Sequence, residues 1–225
     1  MTFDLHGDFI IWGARGHGKV LRSVIESYGG AVVAIVDNDQ SALEGVVRAT
    51  PIFGSVGLRE FISKRGSQGL SGAIAVGGSR AIDRLWILDE FRRLGVSMPP
   101  IVDRNAIQEL GSRISEGCQL LAGSILGADA TLGAASIVNH NAVVDHECVI
   151  ERGVHIAPSA TLCGCVHVGE GAFIGAGATV LPRLTIGANA IIGAGALVTK
   201  NVEAGVTVAG VPAKIFNIEN EARQE

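Results

Sequence analysis

From residue 114 the chain reads Ile114-Ser115-Glu116-Gly117-Cys118-Gln119, then Leu120-Leu121-Ala122-Gly123-Ser124-Ile125, then Leu126-Gly127-Ala128-Asp129-Ala130-Thr131. Each sixth residue is aliphatic, and the series runs through Leu132, Val138, Val144, Ile150, Ile156, Leu162, Val168, Ile174, Val180, Ile186 and Ile192 to Val198 without a miss. Four residues after most of these comes something small, such as Cys118, Ser124, Ala130, Ala142, Cys148, Ala160 or Ala172. Glycine directly follows the aliphatic residue at Gly127, Gly133, Gly169, Gly175, Gly187 and Gly193. A helix needs apolar recurrence near 3.6 and a lone strand near 2, so a sustained period of six fits neither. Fixed self-similarity of this length predicts a solenoid, and a six-residue unit predicts a parallel β-helix.

Three hexapeptides close one triangular turn, so residues 18 apart stack. The fifteen repeats from Ile114 give five turns, a prism roughly 24 Å tall at the ~4.8 Å spacing of neighbouring strands. Pro158 and Pro182 both fall two residues after the aliphatic position, at a corner where no ladder N–H is needed.

Ahead of the solenoid the pattern differs. Phe9-Ile10-Ile11-Trp12 reads as a buried strand, broken by Gly13-Ala14-Arg15-Gly16-His17-Gly18 and followed by helical spacing from Lys19 to Tyr28. A second apolar run, Ala31 to Val36, ends in Asp37-Asn38-Asp39, and a third, Ala73 to Val76, ends in Gly77-Gly78-Ser79. Arg80 to Leu94 reads as a helix through Ile82, Leu85, Leu88 and Phe91. Strands alternating with helices predict a small, parallel, Rossmann-like α/β domain. Met98-Pro99-Pro100 closes that helix, which divides the chain into an α/β domain over 1–100 and a left-handed β-helix with a short tail over 101–225.

Gly13, Gly16 and Gly18 do not spell GxGxxG, which argues against a nicotinamide enzyme. A glycine turn ahead of a helix still suits a phosphate, because unpaired backbone N–H groups point outward there. Asp37, at the end of the second strand, is placed to accept from a ribose hydroxyl. The plain alternative is a tight turn with no ligand. Arg15 either meets a phosphate or is simply solvated.

The composition bounds the partners. The 225 residues carry a formal net charge of -4, with 48% hydrophobic and 4% aromatic residues, so the interior is aliphatic and there is no basic footprint for nucleic acid. No apolar run approaches the ~18 residues of a membrane span. Met1 to Asp8 has no signal pattern, and the four cysteines lack zinc-like spacing. A reduced, cytoplasmic protein is expected.

Among the histidines, His146 stands in Asp145-His146-Glu147 on a corner. A carboxylate neighbour fixes the imidazole tautomer and raises its basicity, as a general base requires; a solvated surface histidine is the alternative. His140 and His146 lie on different corners, so no shared metal is expected. His155 is half a turn from His146, on the opposite side of the prism. If both serve one site, they come from different subunits, and a symmetric trimer supplies three such sites.

These features together resemble the hexapeptide-repeat acyltransferases that modify sugars, in the branch with the bacillosamine, perosamine and sialic acid acetyltransferases. The likeness rests on the Gly13 to Gly18 loop, Asp37-Asn38, Ala75-Val76-Gly77-Gly78, Val144 to Ile150, and the closing Ala209-Gly210-Val211-Pro212-Ala213-Lys214. It departs at Asp103-Arg104, where many members carry His-Pro. The resemblance implies an acetyl-CoA-dependent N-acetyltransferase acting on a nucleotide-linked amino sugar for surface glycans. In that picture His146 is the base, supported by Glu147 and Asp145. Acetyl-CoA lies along the seam between two prisms of a homotrimer, against His155, Gly175, Ala176, Gly193, Ala194 and Lys214. The acceptor is held by Gly13, Arg15, Gly16, His17, Gly18, Asp37, Asn38, Gly77 and Gly78, and no metal is implied. Two alternatives stand beside it: O-acetylation of a sugar hydroxyl, and a non-catalytic β-helix that binds a nucleotide sugar.

Overall fold

The computed structural model describes residues 5–216. Its amino-terminal part is a four-stranded parallel sheet with the order β3-β2-β1-β4, where β1 is Asp8–Trp12, β2 Ala31–Asp37, β3 Thr50–Phe53 and β4 Leu70–Ile74. Helices α1 (Gly16–Ser27) and α2 (Gln40–Leu43) cover one face, and α3 (Gly54–Arg65) and α4 (Ala81–Arg93) cover the other. Alternation along β1 makes this possible: Phe9 and Ile11 pack with Leu21 and Ile25 of α1, while Ile10 and Trp12 pack with Ile87 and Phe91 of α4. A strand buried on both faces reads as a continuous apolar run. The strand expected at Ala73 to Val76 is β4, which lies earlier, at Leu70–Ile74, so Ala75 to Gly78 form the loop leaving it. In α4, Leu88 and Phe91 point inward as the spacing predicts, but Ile82 is 81% exposed.

Two-residue strands then recur every six residues from Ile101–Val102 to Leu197–Val198, seventeen in all. They stack as three parallel sheets in strict 18-residue register, for example Ile137↔His155↔Phe173 and Val143↔Thr161↔Thr179. The coil therefore starts two repeats before Ile114, at Val102 and Gln108; Gln108, polar at the aliphatic position, interrupts the series. The second residue of nearly every strand points into a dry interior of Val, Leu, Ile, Ala, Cys118 and Cys148. Burial pushes the Cys118 and Cys148 thiols up to about 12 and about 11, so they stay protonated packing groups.

The corners have their own rule. The third residue after each aliphatic position, from Gly111 to Gly195, has φ between +56° and +78°. Glycine, Asn or Asp supplies most of these, as the left-handed region demands. Glycine directly after the aliphatic residue answers a different need: a Cβ on Gly175 would fall 2.6 Å from the backbone N of Ala194 in the next coil. On one face the ladder runs on through Thr207–Ala209, which pairs antiparallel with Lys214–Ile215.

Candidate active site

Asp145 to Cys148 turn the chain between the strands Val143–Val144 and Val149–Ile150, on the corner opposite the face that carries His155. The Asp145 carboxylate accepts the backbone N–H of His146 at 2.7 Å and so shapes the turn. Glu147, not Asp145, reaches the ring: its Oε2 lies 3.1 Å from His146 Nδ1. That contact puts the ring hydrogen on Nδ1 and leaves Nε2 basic. The His146 hydrogen bond, then that of Cys165, holds the Glu147 carboxyl below its usual range.

Cys165 stands one coil on from Glu147, with its backbone N–H donating to His146 O at 2.9 Å and its Sγ 3.6 Å from Glu147 Oε2. Ligand-type atoms of His146, Glu147 and Cys165 lie within 4.8 Å of one another. Five corners place neither Gly, Asn nor Asp at positive φ, namely Ala135, Glu147, Ser159, Cys165 and Arg183. Three of those five, Glu147, Cys165 and Arg183, share the column of His146. Backbone strain of this kind collects where function over-determines the conformation.

A second group of the expected site residues faces away from that corner. His155 lies under the Gly77-Gly78 turn and is only 5% exposed. Its Nε2 is 3.1 Å from Asn139 Nδ2 and its Nδ1 is 3.4 Å from Gly78 O, so the ring accepts from the amide and carries its hydrogen on Nδ1. Burial first, then the Arg84 charge, holds its pKa down at about 3, which keeps it neutral. His17, expected at the acceptor, points its Nε2 at Gln119 Oε1, 2.7 Å away, and Gln119 donates to Ile74 O at 2.6 Å. In this chain His17 pins the glycine loop to the coil.

Arg84 had no sequence signal and is completely buried. Its guanidinium donates to Val76 O, Gly78 O and Gly153 O, which ties the loop after β4 to the solenoid. Among the described residues its hydrogen-bond partners are backbone carbonyls and no carboxylate, and burial lowers its pKa to about 10.

Across the carboxyl edge of the sheet lies a cleft of about 400 Å³ lined by Gly13, Arg15, Asp37, Asn38, Gly77 and Trp86, among others. Gly16 and Gly18 border a neighbouring cleft with Lys19 and Arg22. Asp37 is already engaged: its two oxygens accept the N–H groups of Ala14 and Asp39 at 2.8 and 2.9 Å and brace the loop. Arg15 pairs with Asp39 at the mouth. Ala176 and Ala194 stack 18 residues apart on the outer corner that follows the His155 face. Lys214 lies exposed at the top of the coil. No helix among the described residues is long and apolar enough to cross a membrane.

Comparison with family models matches the PglD N-terminal domain over residues 8–84 and the bacterial transferase hexapeptide (six repeats) over 147–182 and 165–200. Comparison with curated protein sequences gave no match. Among solved structures, PerB from Caulobacter crescentus, in complex with CoA and GDP-perosamine, is 34% identical with a TM-score of 0.85, covering 94% of this chain and 98% of that one. A mutant perosamine N-acetyltransferase from the same organism, again with CoA and GDP-perosamine, is 33% identical at TM-score 0.84, covering 94% and 97%. The acetyltransferase domain of PglB from Neisseria gonorrhoeae, in complex with acetyl coenzyme A, is 29% identical at TM-score 0.83, covering 94% and 100%. A cleft-bearing α/β domain and a histidine corner on a hexapeptide coil, matched over nearly the whole chain, place it among the hexapeptide-repeat sugar acetyltransferases.

Proposed function

We propose that this chain transfers the acetyl group of acetyl-CoA to the amino group of a nucleotide-linked amino sugar of the 4-amino-4,6-dideoxy type. His146 Nε2 takes a proton from the amine as its nitrogen forms a bond to the thioester carbonyl carbon. The tetrahedral intermediate collapses, the C–S bond breaks, and CoA leaves as the thiol once a proton is supplied. Glu147 supports the imidazolium formed on the way. A backbone N–H faces the oxyanion, since the Nδ1–H of His155 is taken up by Gly78 O. Much of the acceleration comes from holding amine and thioester together.

One observation carries this reading. Within a single chain the His146 corner and the His155 face lie on opposite sides of the prism, while the cleft sits with His155. A trimer would bring one subunit's cleft to its neighbour's base. The cofactor would run along that seam past Gly175-Ala176 and Gly193-Ala194, with Lys214 at its far end. The solved relatives supply both ligand types, since one carries CoA with GDP-perosamine and another acetyl coenzyme A.

Thiol release from acetyl-CoA with a panel of UDP-, GDP- and dTDP-linked 4-amino sugars tests the proposal. Turnover with one of them is expected, and His146→Ala should reduce kcat by about 10²–10⁴-fold with little change in KM. Turnover only on a sugar hydroxyl would select O-acetylation, binding without turnover would select the non-catalytic alternative, and an unchanged kcat would remove His146 from its role.

A further inference from the structure

The cleft has two unlike walls. Arg15, Asp37, Asn38 and Asp39 form a polar one; Arg80, which caps α4, and Asp83 and Trp86 of α4 form the other. Trp12 and Ile87 are 3% exposed and close the floor. Trp86 differs, being 42% exposed within the cleft. Its ring meets Trp12 edge-on, with centroids 5.4 Å apart and planes at 88°, and Trp12 meets Phe91 in the same way at 6.0 Å. The indole is thus held by an aromatic stack beneath it while part of its surface stays open to the ligand space.

An amphipathic ring left open in a cleft suits a flat, aromatic, polar-edged ligand. The opposite wall offers carboxylates and an amide for hydroxyl groups, and the glycine turns lie between the cleft and His155. We propose that Trp86 is the platform on which the base of the acceptor nucleotide stacks, so that the ribose meets the Asp37-Asn38 wall and the sugar end points toward Gly77-Gly78. This rests on the acceptor being nucleotide-linked, as proposed above, and it identifies the residue that grips the base. Stacking tolerates any base because each has a π face, so discrimination among bases falls to the polar groups on the cleft's rim.

The chain contains only two tryptophans, so fluorescence reports the contact directly. Titration with UDP, GDP and dTDP, paired with calorimetry, should show quenching by whichever nucleotide binds. Trp86→Phe keeps an aromatic ring against Trp12 and should bind that nucleotide with most of the quenching lost, leaving only the part that comes from Trp12 in the floor. Trp86→Ala should weaken binding about fivefold to hundredfold and raise the acceptor KM to match, with the KM for acetyl-CoA unmoved. Quenching undiminished in Trp86→Phe, or unchanged affinity in folded Trp86→Ala, would overturn the platform while leaving the nucleotide-linked acceptor intact. A wild-type protein that binds none of the three, yet acetylates a free sugar, would overturn the acceptor class and the platform together.

Discussion

A Cβ placed on Gly164 would fall 2.3 Å from His146 Nε2, so the imidazole rests on a residue that has no side chain. Gly164 follows His146 by 18 residues and occupies the same corner position one coil on. The equivalent positions on other corners hold Ala128, Ala134, Ala176, Ala188 and Ala194, so alanine suits the backbone there. Gly164→Ala should therefore fold with a nearly unchanged melting temperature. It should lose about 10²-fold or more in kcat, because a displacement of about 1 Å can cost that much. A fully active variant would show that the ring takes a different pose during turnover.

Glu147 is the next test of that corner. Glu147→Gln keeps the size and a hydrogen-bonding atom near Nδ1 but removes the charge that balances the imidazolium. A loss of kcat is expected, smaller than the ~10²–10⁴-fold expected of His146→Ala if His146 is the base, as proposed. Asp145→Asn, by contrast, touches only the turn N–H and should cost less than Glu147→Gln. The reverse order, read from steady-state kinetics, would reassign the partner carboxylate.

The solenoid was legible because its signal is redundant: one aliphatic slot repeated at a fixed interval survives local exceptions. Its first two repeats were not, because Gln108 breaks the aliphatic series ahead of Ile114. β3, α2 and α3 also escaped, since Pro51 interrupts a four-residue strand and α3 buries only Leu58 and Ile62 among its residues. His146 was legible from its two carboxylate neighbours, but which one reaches the ring depends on corner geometry. A further signal lay in the third corner position. Glycine, Asn and Asp fill most of that column, so Glu147, Cys165 and Arg183 stacked together mark the corner where strain is tolerated. Arg84 carried no such mark. Its partners are backbone carbonyls from two distant segments, which only the folded chain brings together.

Those carbonyls make Arg84 a positioning residue for the loop after β4, proposed above to hold the acceptor. Arg84→Met leaves Val76, Gly78 and Gly153 without their donor, and should destabilise the fold by about 1.5–3 kcal/mol, the range of hydrogen bonds to a charged group. It should also raise the acceptor KM, because the Gly77-Gly78 turn loses its brace. Arg84→Lys keeps a charge but not the fork that serves three carbonyls, so little rescue is expected in either the melt or the KM. A lysine variant as stable and as tight as wild type would mean that charge alone does the bracing.

Acid should weaken the same junction. His155 titrates near 3 in the folded chain against an ordinary 6.5, and burial also lowers His17. From about pH 6.5 downward the unfolded chain therefore takes up protons that the folded chain refuses. The sign follows directly: stability falls as the pH falls, by at most ~1.4 kcal/mol per pH unit for each imidazole, and for His155 the fall continues down to about 3. Above about pH 7 neither group contributes to the pH dependence. Thermal melts of wild type and His155→Gln between pH 7.5 and 4.5 separate this from the titration of carboxylates, which both proteins share. The variant should start less stable, having lost a fitted ring beneath Gly77-Gly78, yet lose less per pH unit. Parallel curves would show that His155 becomes protonated in the folded chain, with Asn139 turning its amide oxygen toward the ring.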